Sequence, residues 1–269
     1  MQPIYVESVG VVGPGLENWK AASAVMRSPG TYSAGETILP RLDVLPAAER
    51  RRTGMPVKLA LAAGLDALAA SSRRADALPT VFTSSGGDGQ VLHEICATLA
   101  TPERQVSPTR FHNSVHNAPA GYWSIATQSR AASTSLCAYD WSFTAGLLEA
   151  AAQVVTDHDA VLLLSFDLPY PQPMHPLRPI YGTLGIAVLL AREQGPQAMA
   201  RLDLDLVTQP LPPTPCANAE LERLRANNPA GRALPLLVAV AAGVPAEVNL
   251  EYVAQNTLRV RVTGLRPTA

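Results

Sequence analysis

The sequence predicts an α/β fold built on a largely parallel sheet. Short runs rich in Val, Leu and Ile, bounded by Gly, Ser or Asp, alternate with longer runs whose apolar residues recur at helical spacing. The composition agrees: 47% hydrophobic against 16% charged residues describes a chain that packs a core. At 269 residues it can form one large domain or two modest ones.

Residues 4–12 read as the first strand, with Val6 and Val11 apolar and Gly10 at a bend. Residues 46–70 read as a helix, because Leu59, Leu61, Ala62, Leu65 and Leu68 fall near helical spacing. A short buried strand at 79–84 runs into the turn Ser84-Ser85-Gly86-Gly87-Asp88-Gly89, and a helix follows over 91–99. The segment from Ser133 to Phe143 holds an extended run, a sharp turn and the start of a helix. That helix spans 142–155, with Phe143, Leu147, Leu148, Ala151 and Val154 on one face. Strands are expected at 161–165 and 184–190. Residues 201–207 alternate strictly, Leu202, Leu204 and Leu206 against Asp203 and Asp205, the pattern of a half-buried strand. Residues 209–215 carry four prolines in seven and mark a linker. Two short helices, around 218–226 and 233–242, and a strand at 258–262 close the chain. Residues 1–208 therefore read as a main lobe and 209–269 as a reduced remnant, together one continuous domain.

Several function classes are disfavoured. A net charge of −1, from 21 basic and 22 acidic residues, gives no electrostatic footprint for nucleic acid or an anionic membrane. The first residues lack the basic-then-apolar pattern of a secretory signal. No stretch approaches the ~18 apolar residues of a membrane span. Cys96, Cys137 and Cys216 are widely spaced and form no disulfide framework, so a reducing cytoplasm is expected.

The candidate chemistry is sparse. The Gly-rich turn lacks the lysine of a phosphate-binding loop and reads as a strand-to-helix turn needing positive φ. His112 and His116 are four apart and would share a helix face, but no third ligand follows at metal spacing, so packing or interface roles are expected. Cys137 lies inside the run before the turn and reads as a buried, inert thiol. No G-x-S-x-G elbow is present. No metal or cofactor is expected. Asp140 stands at the turn itself, where many α/β enzymes present a nucleophile at a helix N-terminus. A carboxylate there is a poor thioester exchanger.

The order of the segments resembles the β-ketoacyl synthases of the thiolase superfamily. Arg50-Arg51-Arg52 with the following Leu/Ala-rich helix, Ser107-Pro108, and Asn117-Ala118-Pro119-Ala120-Gly121 are similar to that family's early blocks. So are Asp157 to Leu163 and the later Arg178-Pro179 and Tyr181 to Leu190. The resemblance covers about residues 1–208. Counted forward from Asn117, the family's active cysteine falls on Asp140, and Ser142 matches the serine after it. The Gly-Pro-Ser that precedes the family's active-site strand is here Ala131-Ala132-Ser133, and the two C-terminal histidine motifs are not found in 209–269.

The resemblance therefore implies a truncated thiolase-like fold, a ketosynthase N-terminal lobe with a reduced C-terminal lobe, that has lost nucleophile and histidines together. It is most similar to the chain-length-factor subunits of type II polyketide systems, in particular those of aryl polyene, xanthomonadin-like clusters. The partners it implies are an active ketosynthase in a heterodimer and an acyl carrier protein acting on the pair. No catalytic residue is expected. Phe111, His112, His116, Asn117, Trp123, Ser135 and Cys137 are the candidates for the acyl tunnel or the interface. The apolar run over 131–138 is expected to be covered by the partner. A stand-alone acyl-transferring or thioester-cleaving enzyme using Cys137 or a serine is one alternative, and a purely structural stabiliser of a ketosynthase is another.

Overall fold

The Val/Leu run at 160–167 is buried from end to end because helices cover both faces of the sheet it belongs to. The computed structural model describes residues 2–265; Met1 and the last four residues of the expected 209–269 remnant lie outside the described residues. In chain order the elements are β1 (Ile4–Val12), α1 (Trp19–Arg27), α2 (Ala47–Arg52), α3 (Met55–Ala69), β2 (Thr80–Thr83), α4 (Gly89–Leu99) and α5 (Pro108–Asn113). They continue with α6 (Ala118–Thr127), β3 (Ser133–Leu136), α7 (Ser142–Thr156), β4 (Ala160–Asp167), β5 (Leu184–Ala191) and β6 (Ala200–Val207). The chain closes with α8 (Ala219–Asn227), α9 (Leu234–Ala242), β7 (Ala246–Tyr252) and β8 (Asn256–Gly264).

The strands form one eight-stranded sheet in the order β3-β2-β4-β5-β1-β6-β8-β7. Only β2 runs parallel to its neighbours, β3 and β4; every other pairing is antiparallel. This corrects the expectation of a largely parallel sheet. Continuous apolar strands were read as parallel, but burial on both faces produces the same run whatever the strand direction. One face packs on α1, α7 and α9, with Phe143, Leu147 and Val154 of α7 meeting Val161 and Leu163 of β4. The other packs on α3 and α6, where Leu59, Leu61 and Trp123 meet Leu162 and Leu164.

Local signals account for most boundaries. Pro56, Pro108, Pro119 and Pro235 sit in the first turns of their helices, where a missing N–H costs nothing. The helix expected over 46–70 is two, α2 and α3, broken at Thr53 and Gly54. Gly10 is not a bend. It lies inside β1 where α3 crosses, and a β-carbon there would stand 2.0 Å from the Ala63 carbonyl oxygen.

The proline-rich segment runs along the sheet. Thr214 N–H donates to the Asn249 carbonyl at 3.1 Å, and Asn249 N–H donates to Thr214 Oγ1 at 2.9 Å. The outer edge of β7 is thereby covered at its middle. The opposite edge strand, β3, pairs with β2 alone.

Candidate functional site

The site is the turn between β3 and α7. The strand delivers Cys137 and Ala138, a single 3₁₀ turn carries Tyr139, Asp140 and Trp141, and α7 begins at Ser142. Tyr139 holds φ at +54°, a left-handed conformation uncommon outside glycine. Ser142, fully buried, fixes the turn: its Oγ accepts from Ala138 N–H at 3.0 Å and donates to the Tyr139 carbonyl at 2.7 Å. The strained backbone is thus held from beneath, as happens where a turn must present a side chain in one direction.

Asp140 is what the turn presents. Arg178 Nη2 donates to Asp140 Oδ1 at 2.9 Å, and the same guanidinium lies 3.6 Å above the Tyr139 ring. Burial alone would lower the Arg178 pKa; the hydrogen bond and charge of Asp140 outweigh it and hold the guanidinium above its ordinary value. Below this pair is a cavity of 210 Å³ lined by Tyr139, Asp140, Arg178, Asn227, Asn228 and Arg232, among others. A carboxylate locked to arginine accepts hydrogen bonds and balances charge. It does not carry an acyl group by thioester exchange.

The glycine turn after β2 lies against this site. Gly87 has φ +64°, as the strand-to-helix reading requires. Ser84 Oγ accepts from Gly87 N–H at 2.9 Å and Asp88 accepts from Val91 N–H at 3.0 Å. The donors that would cradle a phosphate are therefore spent within the chain. Ser85 donates its N–H and its Oγ–H to Asp167 Oδ1, at 2.9 and 2.6 Å. Asp167 is fully buried, and burial pushes its carboxyl up to about 7, against the pull of Ser85 and Arg178.

Three of the seven sequence candidates come together in the structure. His116, Asn117 and Ser135 come together with Ala120, Gly121, Ser124 and Ser133 around an open hollow of 540 Å³ between α6 and β3. Phe111 is 68% exposed on α5, with Val115 exposed nearby in sequence. His112 and His116 do not share a helix face, because α5 ends at Asn113; His112 packs edge-on to Tyr122 and His116 Nε2 lies 3.2 Å from the Ser84 carbonyl oxygen. Among the described residues no group of three ligands could hold a metal.

Two expectations are corrected. Trp123 is 1% exposed and packs on Phe82 and Gly64 in the core, so it does not reach an interface. Apolar character and helical spacing with Tyr122 and Ala120 send it inward. Cys137 is exposed and not buried, because β3 is an edge strand; its thiol donates to the Ser85 carbonyl at 3.2 Å. Arg178, Asp167 and Tyr170 were not singled out from sequence as site residues. Only the position of Arg178 beside Pro179 in a recognisable block marked any of them.

The sequence pattern described as "Beta-ketoacyl synthase, N-terminal domain" matches residues 19–227, well over half the chain. No curated protein matches the chain by sequence. Among solved structures, the ketosynthase ApeO in complex with its chain length factor ApeC from Xenorhabdus doucetiae is similar at TM-score 0.74 and 22% identity, over 97% of this chain and 100% of that one. The ishigamide ketosynthase/chain length factor aligns at TM-score 0.73 and 13% identity, over 99% and 100%. The AntDE:AntF complex, a type II acyl-carrier protein with its ketosynthase, aligns at TM-score 0.74 and 12% identity, over 98% and 99%. At these identities the likeness is one of fold: a ketosynthase lobe of thiolase type. Among the described residues no helix is long and apolar enough to cross a membrane.

Proposed function

The chain belongs to the β-ketoacyl synthase family, and from that membership we propose that it is a non-catalytic, chain-length-factor subunit. It pairs with an active ketosynthase and shapes that partner's acyl tunnel in aryl polyene-type biosynthesis, with an acyl carrier protein delivering the chain to the pair in the cytoplasm. The observation that carries this is Asp140, a carboxylate held by Arg178 at the turn where the family resemblance places the cysteine. Family membership without the nucleophile leaves the partner to do the chemistry.

Two surface features support a heterodimer. The β3 edge is open in the single chain, and an unpaired edge strand invites pairing with another chain. Beside it lies the open hollow between α6 and β3, and Phe111, Val115 and Ile125 are large apolar residues left exposed in the single chain. The structures that resemble this chain include ketosynthase–chain length factor complexes.

The alternative of a stand-alone enzyme would use a serine or Cys137, whose thiol is exposed beside the turn. Its hydrogen bond, however, goes to a carbonyl, which cannot take up the thiol proton. The test is direct. The purified chain is incubated with acyl carrier protein substrates, and mass spectrometry looks for covalent acylation. The reading expects none from the chain alone and a one-to-one complex on co-expression with a ketosynthase. A stoichiometric acyl adduct on Cys137 would overturn it.

A further inference from the structure

The described residues lining the cavity beneath the β3–α7 turn include two guanidiniums, Arg178 and Arg232, and one carboxylate, Asp140. Arg178 pairs with Asp140. Arg232 pairs with Glu251, and Arg225 pairs with Glu222 through two hydrogen bonds of 2.8 and 2.7 Å. Arg225, Glu222 and Glu251 are not part of the lining, and the buried Asp167 also acts electrostatically with Arg178, so Asp140 is the carboxylate that reaches the cavity itself. Arg178 and Arg232 both line the cavity, and both are largely buried, with side chains 15% and 18% exposed. Each also has a buried Nε that finds no hydrogen-bond partner among the described residues. Two residues that line a 210 Å³ space thus each keep an unspent N–H donor.

We propose that Asp140 is the resident anion of an arginine-walled pocket, closing it to external anions, and that the pocket takes a small carboxylate or phosphate when that side chain is removed. The chemistry is that of guanidinium recognition: planar donors match a carboxylate or phosphate. Removing Asp140 takes its hydrogen-bonded carboxylate from a mostly buried guanidinium, which is destabilising, and an anion that fits restores that bond. The neighbouring Asn227 and Asn228 do not compete for it. Asn227 donates its Nδ2 to the Arg223 carbonyl, and Asn228 donates to the carbonyls of Tyr181 and Gly182. The inference holds whether or not the chain pairs with a ketosynthase.

The test is thermal unfolding of the full chain and of Asp140→Ala in sodium malonate, sodium phosphate and sodium chloride at matched ionic strength. The wild type gives the non-specific response, in which the excluded anions malonate and phosphate stabilise more than chloride. Asp140→Ala should melt lower, and malonate or phosphate should raise its Tm by ~5 °C or more beyond the rise they give the wild type. A larger rise with malonate marks a carboxylate site, and a larger rise with phosphate a phosphate site. Adding Arg178→Met should abolish that extra rise. If Asp140→Ala does not fold, Asp140→Ser, which also removes the charge and leaves room beside Arg178, carries the same comparison. An equal response in wild type and variant, no anion-specific response in the variant, or an extra rise that survives Arg178→Met would overturn the proposal.

Discussion

Tyr170 lies across Gly86, so close that a β-carbon on Gly86 would come within 1.7 Å of its hydroxyl oxygen. The same ring covers Gly89, where a β-carbon would meet Cδ1 at 2.4 Å. The irregular segment that carries Tyr170 and Arg178 is thus fixed at two points, on the glycine turn and on Asp140. Gly86→Ala should displace Tyr170 and cost ~1–3 kcal/mol, the usual price of overpacking. Urea unfolding should show a lower midpoint at unchanged slope. In a Tyr170→Ala background most of that loss should vanish; an equal loss in both backgrounds would mean that another group resists the methyl.

Phe111 should set product length. It is exposed in the single chain, and its ring can end an apolar tunnel without an unsatisfied polar group. In the pair reconstituted with its carrier protein and reducing enzymes, Phe111→Ala should lengthen products by about one or two extension cycles. Phe111→Trp should shorten them. An unchanged distribution from intact complexes in both variants would favour the stabiliser role.

Gly121 should matter to the partner and not to the fold. A β-carbon there meets nothing within 4 Å, and the residue borders the hollow beside β3. Gly121→Tyr replaces a poor helix former on an exposed face, so the Tm of the isolated chain should hold or rise. The bulky ring should fill the hollow and abolish co-purification with the ketosynthase. Undiminished complex formation would place the interface elsewhere.

Asp167 should make the protein lose stability as pH rises. Burial holds its carboxyl at about 7, whereas the unfolded group titrates near ~3.9. The folded state therefore binds the proton more tightly between those values. The stability that Asp167 contributes is full below pH ~4, falls as pH climbs to about 7, and is gone beyond. The fall should be of the order of a few kcal/mol. Asp167→Asn should remove most of it in unfolding curves taken from pH 4 to 8. Asp66 and Asp88, also raised mainly by burial, leave a smaller slope of the same sign. A wild-type curve that rises across this range would refute the assignment.

Much of this architecture was legible in the residues. The strand at 4–12 and the alternating strand ending at Val207 follow from their patterns, and the helix after Ser142 from its apolar face. What escaped had weak local signals. β3 is four residues of Ser, Thr and Leu, and β7 interleaves Glu and Asn with its apolar residues. Strand direction is a property of pairing, and β5 reads the same parallel or antiparallel. At the site, Asp140 could be placed by counting from Asn117. Its partner Arg178 lies 38 residues on and is brought to it by β4 and the segment beyond. Cys137 misled because its apolar neighbours suggested burial, and only the strand order shows that it flanks an open edge.

The two borders of the sheet give the chain a valence. One border is covered at its middle, where Thr214 takes both backbone groups of Asn249. The other, β3, is free. In the proposed pair, strand addition at β3 would consume the open border and leave the partly covered one outward, which favours a closed pair over a fibre.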